Sequence, residues 1–275
     1  MKLVVLISLY NGKNYIYELI NSLLSQTYDK FDIYIRDDGS IDNSLDFIND
    51  HFGALINNRI FLFKGENIGF IRSFHWLLNE SYKNSYTYYM LCDQDDVWLN
   101  KKIEVMIDFY LNKSLNDETT PELVYSDMYV SDENLNIVHN SFQKFQKNLS
   151  IHNNWRLLVA HNCIPGCCMF FNKKVVSLIV QHQFYEVYHD WFIAVITSRF
   201  GKIYYLEKPL MYYRNHDHNI EGVHKNFFYY LLRTTKRVNI SIPRLFKFCK
   251  YLKISFTKML TLKLYTIVYR LYFVK

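Results

Sequence analysis

Three carboxylates follow an apolar run in the stretch YMLCDQDDVW, residues 89–98. Like charges held close together repel one another, so burying Asp93, Asp95 and Asp96 unpaired would be costly. Hard divalent cations such as Mg²⁺ or Mn²⁺ take oxygen ligands, often one or two carboxylates together with substrate phosphates. The cluster therefore favours a metal–phosphate site over the alternative, a turn in which Asp96 caps the next helix. The spacing permits either Asp95 or Asp96 as the direct ligand.

Two further segments carry carboxylates that could do chemistry. The DDGS turn, residues 37–40, offers acceptors to a base or a ribose, or is an ordinary Asx-type turn. In the HDW segment, residues 189–191, Asp190 is a candidate general base. The alternative for Asp190 is purely structural, because the helix dipole stabilises a carboxylate near a helix N-terminus.

The YRNH segment, residues 213–216, adds cationic and metal-binding groups. A guanidinium such as that of Arg214 pairs bidentately with phosphate, and an imidazole such as that of His216 coordinates metals. The alternative is a solvated polar loop. The sequence pattern alone leaves both interpretations open.

Strand and helix patterns alternate along the first half of the chain. Short apolar runs predict strands, and apolar residues at helical spacing predict helices. This alternation predicts a doubly wound sheet with parallel strands. The predicted strands are residues 2–9, 31–35, 59–63 and 86–92, and the predicted helices are residues 15–24, 42–50 (with Asp42 as N-cap) and 69–81.

Ligands of such sheets bind at the carboxyl ends of the strands, near a switch point in strand order. Three polar clusters fall at predicted strand ends, at residues 8–12, 37–40 and 93–96. We therefore expect these clusters to meet at one edge of the sheet.

The second half of the chain has less regular patterns. Strands are predicted at residues 123–130, 202–206 and 210–213, a loop that leads into a strand at 164–171, and helices at 101–110, 173–180 and 190–199.

Composition and charge divide the chain. Residues 223–275 carry twelve Lys or Arg and no Asp or Glu, whereas residues 1–222 carry 20 basic and 26 acidic residues. This asymmetry predicts an acidic body, 1–222, and a basic helical tail, 223–275.

The five cysteines fit neither a zinc nor a disulfide framework, so we expect reduced core thiols in a cytosolic protein. We expect neither a signal peptide nor a transmembrane span.

In the tail, basic residues alternate with Phe, Tyr, Leu and Ile, as in RLFKFCKYLKISF, residues 244–256. Such residues can segregate on an amphipathic helix that lies on an anionic membrane. Nucleic acid is an alternative partner for a basic, aromatic segment, and simple packing against the body is the structural alternative. We favour the membrane surface and expect no nucleic-acid partner.

Taken together, these segments resemble glycosyltransferase family 2 with the GT-A fold. The resemblance covers residues 1–220 and rests on the order of the matching segments. The combination CDQDDVW, HDWF and YRNH is most similar to a bacterial rhamnosyltransferase-type branch. The matching segments are SLYNG at 8–12, QTY at 26–28, RDDGSID at 36–42, NIG at 67–69, DQDD at 93–96, PGCC at 165–168 and HD at 189–190.

The resemblance implies an α/β fold: a GT-A type, Rossmann-like doubly wound mixed sheet with helices on both faces. It also implies inverting, metal-dependent transfer of a sugar from a nucleoside diphosphate-sugar, with Mg²⁺ or Mn²⁺ as the cofactor. Asp190 would be the catalytic base and Arg214 would bind the diphosphate. The other implied sites are Ser8, Tyr10, Asn11, Asp37, Asp38, Asn67 and Asp93 for the donor nucleotide; Asp95, Asp96 and His216 for the metal; and Gly166, His189 and Trp191 for the acceptor.

Enzymes of this branch build capsule, O-antigen or cell-wall polysaccharide. The resemblance thus implies dTDP-rhamnose as one candidate donor and a saccharide or lipid-linked saccharide as acceptor. The implied location is cytoplasmic, peripheral on the inner face of the cell membrane.

The sequence departs from the family pattern at two points. Ser8-Leu9-Tyr10 stands where many relatives have Pro or Thr, and His189-Asp190 replaces a Glu-Asp pair. Two other functions fit strand-end carboxylates: a sugar nucleotidyltransferase and a non-catalytic nucleotide-sugar-binding module. A nucleotidyltransferase would be expected to carry a Gly-rich basic loop after the first strand, where this chain has only Asn11-Gly12-Lys13.

Overall fold

The computed structural model describes residues 2–114, 119–182, 184–216 and 242–272. Over these ranges the strands form one nine-stranded mixed sheet in the order β3-β2-β1-β4-β8-β6-β9-β5, with β7 paired to β6. The strands are β1 (Leu3–Leu9), β2 (Phe31–Asp37), β3 (Ile60–Lys64), β4 (Tyr88–Cys92), β5 (Val97–Trp98), β6 (Glu122–Ser131), β7 (Ile137–His139), β8 (Met169–Asn172) and β9 (Lys202–Arg214).

Ten helices accompany the sheet within the described ranges. They are α1 (Lys13–Leu24), α2 (Ser44–Phe52), α3 (Phe70–Tyr82), α4 (Lys102–Lys113), α5 (Phe142–Phe145), α6 (Trp155–Ala160), α7 (Lys173–His182), α8 (His189–Phe200), α9 (Ile242–Tyr251) and α10 (Phe256–Tyr272). Short 3-10 turns also occur at Gly53–Leu55 and Gly166–Cys168.

The first half of the sheet has the predicted parallel, doubly wound order. β1 lies between β2 and β4 and is parallel to both, and β2 is parallel to β3. Six of the seven residues of β1 are buried, as expected for a strand covered on both faces. Strand order reverses at β1, so the carboxyl ends of β1, β2 and β4 form the predicted crevice.

The second half makes the sheet mixed, which confirms the predicted GT-A type architecture. β8 runs antiparallel to both β4 and β6, whereas β9 is parallel to β6. Residues 202–206 and 210–213 are in strand conformation, as predicted, but they belong to one continuous strand, β9. Its register shifts where Pro209 lies opposite Asp127. Proline cannot donate a ladder hydrogen bond, and the shift accommodates it without ending the strand.

The start of α2 differs from the prediction. Asn43, in the left-handed region with φ 61°, precedes the helix, so Asp42 is not the N-cap residue. Asp42 instead accepts hydrogen bonds from the backbone N–H of Ser44 at 3.1 Å and of Lys13 at 3.0 Å. This carboxylate therefore ties the first turn of α1 to the first turn of α2.

The cysteines agree with the sequence analysis. All five cysteines are buried and unpaired, as expected for reduced core thiols. No helix in the described part of the chain combines the length and the apolar character needed to cross a bilayer.

The described part of the basic tail packs against the body. Phe248 of α9 is fully buried against Trp191 and Phe184, and the Arg199 guanidinium donates to the Leu252 carbonyl at 3.0 Å. The segment 244–256 is split between two helices, because Lys253 adopts φ 56° after α9. The predicted division at 222/223 lies outside the described residues and stays a prediction.

This packing can be tested with two phenylalanines of the same helix. Phe248→Ala should lower the free energy of unfolding by about 3–5 kcal/mol, because it leaves a cavity in the core. Phe246 is 56% exposed, and Phe246→Ala should change it by less than about 0.5 kcal/mol. Chemical denaturation of the full chain measures both, and equal effects would show that α9 is not part of the core.

Candidate active site

The turn after β4 brings carboxylates together beside a loop from the second half of the chain. One oxygen of Asp93, one oxygen of Asp96 and the Cys167 Sγ all lie within 4.8 Å of one another. Burial and the nearby Asp95 charge raise the pKa of Asp93 to about 7 and that of Asp96 well above its usual range. The structure therefore contains the cluster of mutually repelling carboxylates that the stretch YMLCDQDDVW predicts.

The chemistry of this group fits a hard divalent cation. Asp96 is buried, and its Oδ2 atom has no hydrogen-bond partner. Carboxylate oxygens suit Mg²⁺ or Mn²⁺. Hydrogen bonding to Cys168 and burial raise the pKa of the Cys167 thiol, so this soft group remains protonated and is a poor ligand for either ion. Asp93 and Asp96 are thus the pair suited to hold a metal.

Lys102 is a buried cation that sequence reasoning missed. Its Nζ atom donates to the Cys167 carbonyl at 2.6 Å and lies 3.9 Å from the centre of the Trp98 ring. Its charge lowers the pKa values of Asp93 and Asp96, opposing the effect of burial. In the sequence it is half of a Lys-Lys pair at a helix start, a pattern typical of solvated residues.

Gln94, also missed, joins this turn to the end of β1. Its side-chain amide accepts from the Tyr10 N–H at 2.8 Å and donates to the Tyr10 carbonyl at 3.0 Å. A Cβ atom on Gly12 would lie 2.7 Å from the Gln94 Oε1 atom, so glycine is required for this contact. Asn11 extends the link, because its N–H donates to the Ser40 hydroxyl at 2.9 Å. The three predicted strand-end clusters therefore meet.

The DDGS turn is built around two buried carboxylates. Asp38 pairs with Arg36 and accepts from the N–H groups of Ile68 and Gly69, both at 2.9 Å. Asp37 accepts from the Ser40 N–H at 3.2 Å. In this structure these carboxylates shape the loop beside the crevice, and their predicted contact with the nucleoside stays a prediction.

The remaining donor residues lie in the same network. The Ser8 hydroxyl donates to the Ser73 hydroxyl at 2.7 Å, and Ser73 also accepts from Arg36. The Asn67 Oδ1 atom accepts from the Gly69 N–H at 3.2 Å. Ser8 and Asn67 thus lie on either side of the Arg36–Asp38 pair.

The YRNH segment folds back onto the acidic turn. The His216 Nε2 atom lies 2.9 Å from the Asp95 Oδ2 atom, and the His216 ring stacks on Tyr15 at 4.9 Å. The Arg214 Nε–H donates to the Asp95 carbonyl at 2.9 Å, and its guanidinium pairs with Glu18 of α1. The predicted metal set is therefore divided: Asp95 and His216 form one pair, and Asp96 lies in the group with Asp93.

The candidate base lies across one short turn from the acidic group. Asp190 Oδ1 accepts from the Trp191 N–H at 2.6 Å and from the Asn162 side-chain amide at 3.3 Å. A Cβ atom on Gly166 would lie 3.3 Å from the Asp190 Cβ atom, tighter than an ordinary contact. The next residue, Cys167, belongs to the acidic group. The 3-10 turn Gly166–Cys168 thus brings Asp190 to the same region as the metal-binding candidates.

The three predicted acceptor residues differ in their surroundings. The Nε2 atom of His189 would lie 3.2 Å from a Cβ on Gly166, so these two residues are neighbours. His189 stacks on Phe74 at 4.1 Å, and burial lowers its pKa to about 3, which keeps it neutral at physiological pH. Trp191 is buried, and its indole N–H donates to the Leu158 carbonyl at 2.5 Å. The acceptor roles stay predictions, and the Trp191 ring is packed in the core.

Comparison of the sequence with models of known protein families identifies the family of this chain. The family model described as Glycosyl transferase family 2 matches residues 4–178. The chain belongs to glycosyltransferase family 2 and is a glycosyltransferase, as its motifs predicted.

Two curated relatives have names that specify the sugar they transfer. The chain is 25% identical over 229 residues to dTDP-rhamnosyl transferase RfbG of Shigella flexneri, covering 79% of this chain and 74% of that protein. It is 34% identical over 105 residues to UDP-Glc:alpha-D-GlcNAc-diphosphoundecaprenol beta-1,3-glucosyltransferase WfaP of Escherichia coli, covering 38% and 39% of the two chains.

Solved structures support the GT-A fold. S. aureus TarS 1-349 in complex with UDP-GlcNAc aligns with a TM-score of 0.57 at 16% identity, covering 98% of this chain and 81% of that one. Mannosyltransferase PcManGT from Pyrobaculum calidifontis, in complex with GDP-Man and Mn²⁺, aligns with a TM-score of 0.59 at 12% identity, covering 98% and 69%. At these identities the likeness establishes the fold.

The raised pKa of Asp93 predicts a pH-dependent stability effect in the metal-free protein. Ionised Asp93 penalises the folded state, and this penalty grows as pH rises from about 4 and is complete above about 7. Asp93→Asn should therefore raise the free energy of unfolding on the order of 1–3 kcal/mol at pH 8 and hardly at all at pH 4. Denaturation with a chelator present measures this.

The matched control is Asp50→Asn, which alters an exposed carboxylate of α2. It should leave stability unchanged at both pH values. A destabilised Asp93→Asn at pH 8 would contradict the view that this carboxylate is under electrostatic strain.

Proposed function

We propose that the chain is an inverting, metal-dependent transferase that moves a sugar from a nucleoside diphosphate-sugar to a saccharide acceptor. The observation that carries this proposal is the position of Asp190, which contacts the turn Gly166–Cys168, whose Cys167 lies with the half-buried Asp93 and the buried Asp96. A base for an acceptor hydroxyl and carboxylates for a metal–diphosphate are the two parts that such a transfer needs.

The donor would lie over the joined ends of β1, β2 and β4. Tyr10 and Asn11 border this crevice, and the Tyr10 side chain is 45% exposed, so it is available to a nucleotide. The complexes of TarS and PcManGT with nucleotide-sugars support a nucleotide-sugar donor. The likeness to RfbG supports dTDP-rhamnose as the first donor to test.

Mg²⁺ or Mn²⁺ would be held by Asp93 and Asp96, with Asp95 and His216 as the neighbouring pair. When bound, the ion would stabilise negative charge that builds on the leaving diphosphate. The Arg214 guanidinium, held over the acidic turn, would add positive charge on the same side. The Mn²⁺ complex of PcManGT supports a divalent ion in this fold.

Asp190 would take the proton from the acceptor hydroxyl. The Trp191 N–H and the Asn162 amide both donate to its Oδ1 atom and so orient its carboxylate. The neighbouring His189 is neutral, so it places no positive charge beside the Asp190 carboxylate. The deprotonated hydroxyl would attack the anomeric carbon from the face opposite the diphosphate, which inverts the configuration.

The acceptor proposed is a saccharide on a lipid carrier in bacterial surface polysaccharide synthesis. The name of WfaP specifies a diphosphoundecaprenol-linked GlcNAc acceptor, and this likeness supports the proposal. The proposed location is therefore cytoplasmic and peripheral on the inner face of the membrane, with the basic tail in contact with lipid.

Donor screening tests the function directly. Purified chain is mixed with dTDP-rhamnose, UDP-glucose, UDP-GlcNAc or GDP-mannose, with Mn²⁺, Mg²⁺ or a chelator, and nucleoside diphosphate release is measured. We expect release from one nucleotide-sugar, and only with a divalent ion. Formation of nucleoside triphosphate and sugar 1-phosphate when pyrophosphate is added would instead indicate a nucleotidyltransferase, and equal release with chelator would contradict metal dependence.

A substitution tests the base. Asp190→Asn should lower transfer about 10²- to 10⁴-fold while leaving donor affinity unchanged, because the amide cannot accept the proton. Asp50→Asn serves again as the exposed control and should retain wild-type turnover. Wild-type turnover in Asp190→Asn would remove Asp190 from this role.

A further inference from the structure

The face of the C-terminal helix α10 that packs on the body is mixed in polarity. Met259, Thr266 and Arg270 are buried there, and Lys263 is sufficiently buried that its pKa is lowered. The opposite face exposes large apolar side chains. These are Leu260, Leu264, Tyr265, Val268, Tyr269 and Leu271, with exposed fractions between 39% and 63%. A helix that packs on a water-soluble body ordinarily buries most of its large apolar side chains and leaves its charged ones in solvent.

Hydrogen bonds fix this orientation. The Arg270 guanidinium donates to the backbone carbonyls of Gln146 and Lys147, the latter at 3.0 Å. Rotating α10 to bury its leucines would break these charge-assisted bonds and expose the two carbonyls to competition from water. The apolar face is therefore held outward by the way α10 is attached.

The outward residues form a continuous stripe. Successive helical residues are turned by about 100°, so Leu260, Leu264, Val268 and Leu271 lie within an arc of about 80°. Tyr265 and Tyr269 lie along one border of the stripe, and the exposed Lys258 lies beside them. Amphipathic rings and a cation beside an apolar stripe are typical of a helix at a bilayer surface.

Charge selects lipid over a second copy of the chain. In the described part of the tail, residues 242–272, no Asp or Glu occurs, and five basic side chains are exposed: Arg244, Lys247, Lys250, Lys253 and Lys258. A two-fold contact between two copies of this surface would place like charges opposite one another, which is unfavourable. Anionic lipid headgroups would neutralise the same charges.

We infer that α10 lies in the plane of an anionic bilayer, with the stripe Leu260, Leu264, Val268 and Leu271 embedded among the acyl chains. This inference rests on the membrane location proposed above and assigns it to one helix face. It also relates that face to the chemistry, because α10 packs on α6, and Asn162 just beyond α6 contacts Asp190. The membrane-bound helix and the candidate base are thus joined through α6.

Vesicle flotation of the full chain tests the inference. The probes are phosphatidylcholine vesicles with and without phosphatidylglycerol, and the variant is the double substitution Leu264→Gln/Leu271→Gln. We expect wild-type protein to float with the anionic vesicles, and the variant to bind about tenfold less or weaker still. The control is Leu111→Gln, at a leucine of α4 that is 49% exposed, and it should bind as wild type does.

Two results would overturn the inference. Wild-type flotation by the double variant would show that the stripe does not contact lipid. A wild-type dimer in light scattering that the double variant converts to monomer, without vesicle binding by either, would assign the stripe to a second copy.

Donor hydrolysis without vesicles separates this inference from the proposed function. It should be equal in wild type and double variant, which also shows that the variant is folded. Absence of hydrolysis in both proteins would count against the proposed function, while flotation would still decide the role of α10.

Discussion

The site depends on holding like charges beside a buried cation. Asp93 and Asp96 are ionisable groups in a poorly solvated turn, and Lys102 is a buried positive charge that lowers the pKa values of both. The same Lys102 ammonium holds the carbonyl of Cys167, and so fixes the turn that carries Gly166 against α8. One interaction therefore sets both the electrostatics of the acidic group and the position of the candidate base relative to it.

The fold supplies the remaining positions through strand order. Because β1, β2 and β4 are parallel neighbours, their carboxyl ends bring three separate polar clusters to one crevice. The antiparallel β8 follows directly from the turn Gly166–Cys168, and β9 ends at Arg214 beside Asp95. The second half of the sheet thus positions the turn and the strand end that complete the candidate site.

Local patterns in the sequence predicted the parallel half well. Periodicity located α1, α3 and the first four strands to within about two residues, because each is a regular amphipathic or buried element. Contacts between residues far apart in the chain could not be predicted from these local patterns. The hydrogen-bond acceptors of Lys102, the Cys167 carbonyl and the Met211 sulfur, lie more than 60 residues further along the chain, so the pattern around Lys102 does not indicate its burial. The division of the predicted metal set depends on side-chain directions. For α10, periodicity indicates two faces but not which one turns inward.

The Gln94–Tyr10 pair of hydrogen bonds has a thermodynamic consequence. It joins the proposed metal-binding turn to the proposed nucleotide-binding end of β1 through two hydrogen bonds, so ordering one segment favours order in the other. An ion that ordered one segment would reduce the entropy cost of ordering the other. With both ligands bound as proposed, the two affinities would be linked reciprocally, and each ligand would strengthen the binding of the other by the same factor.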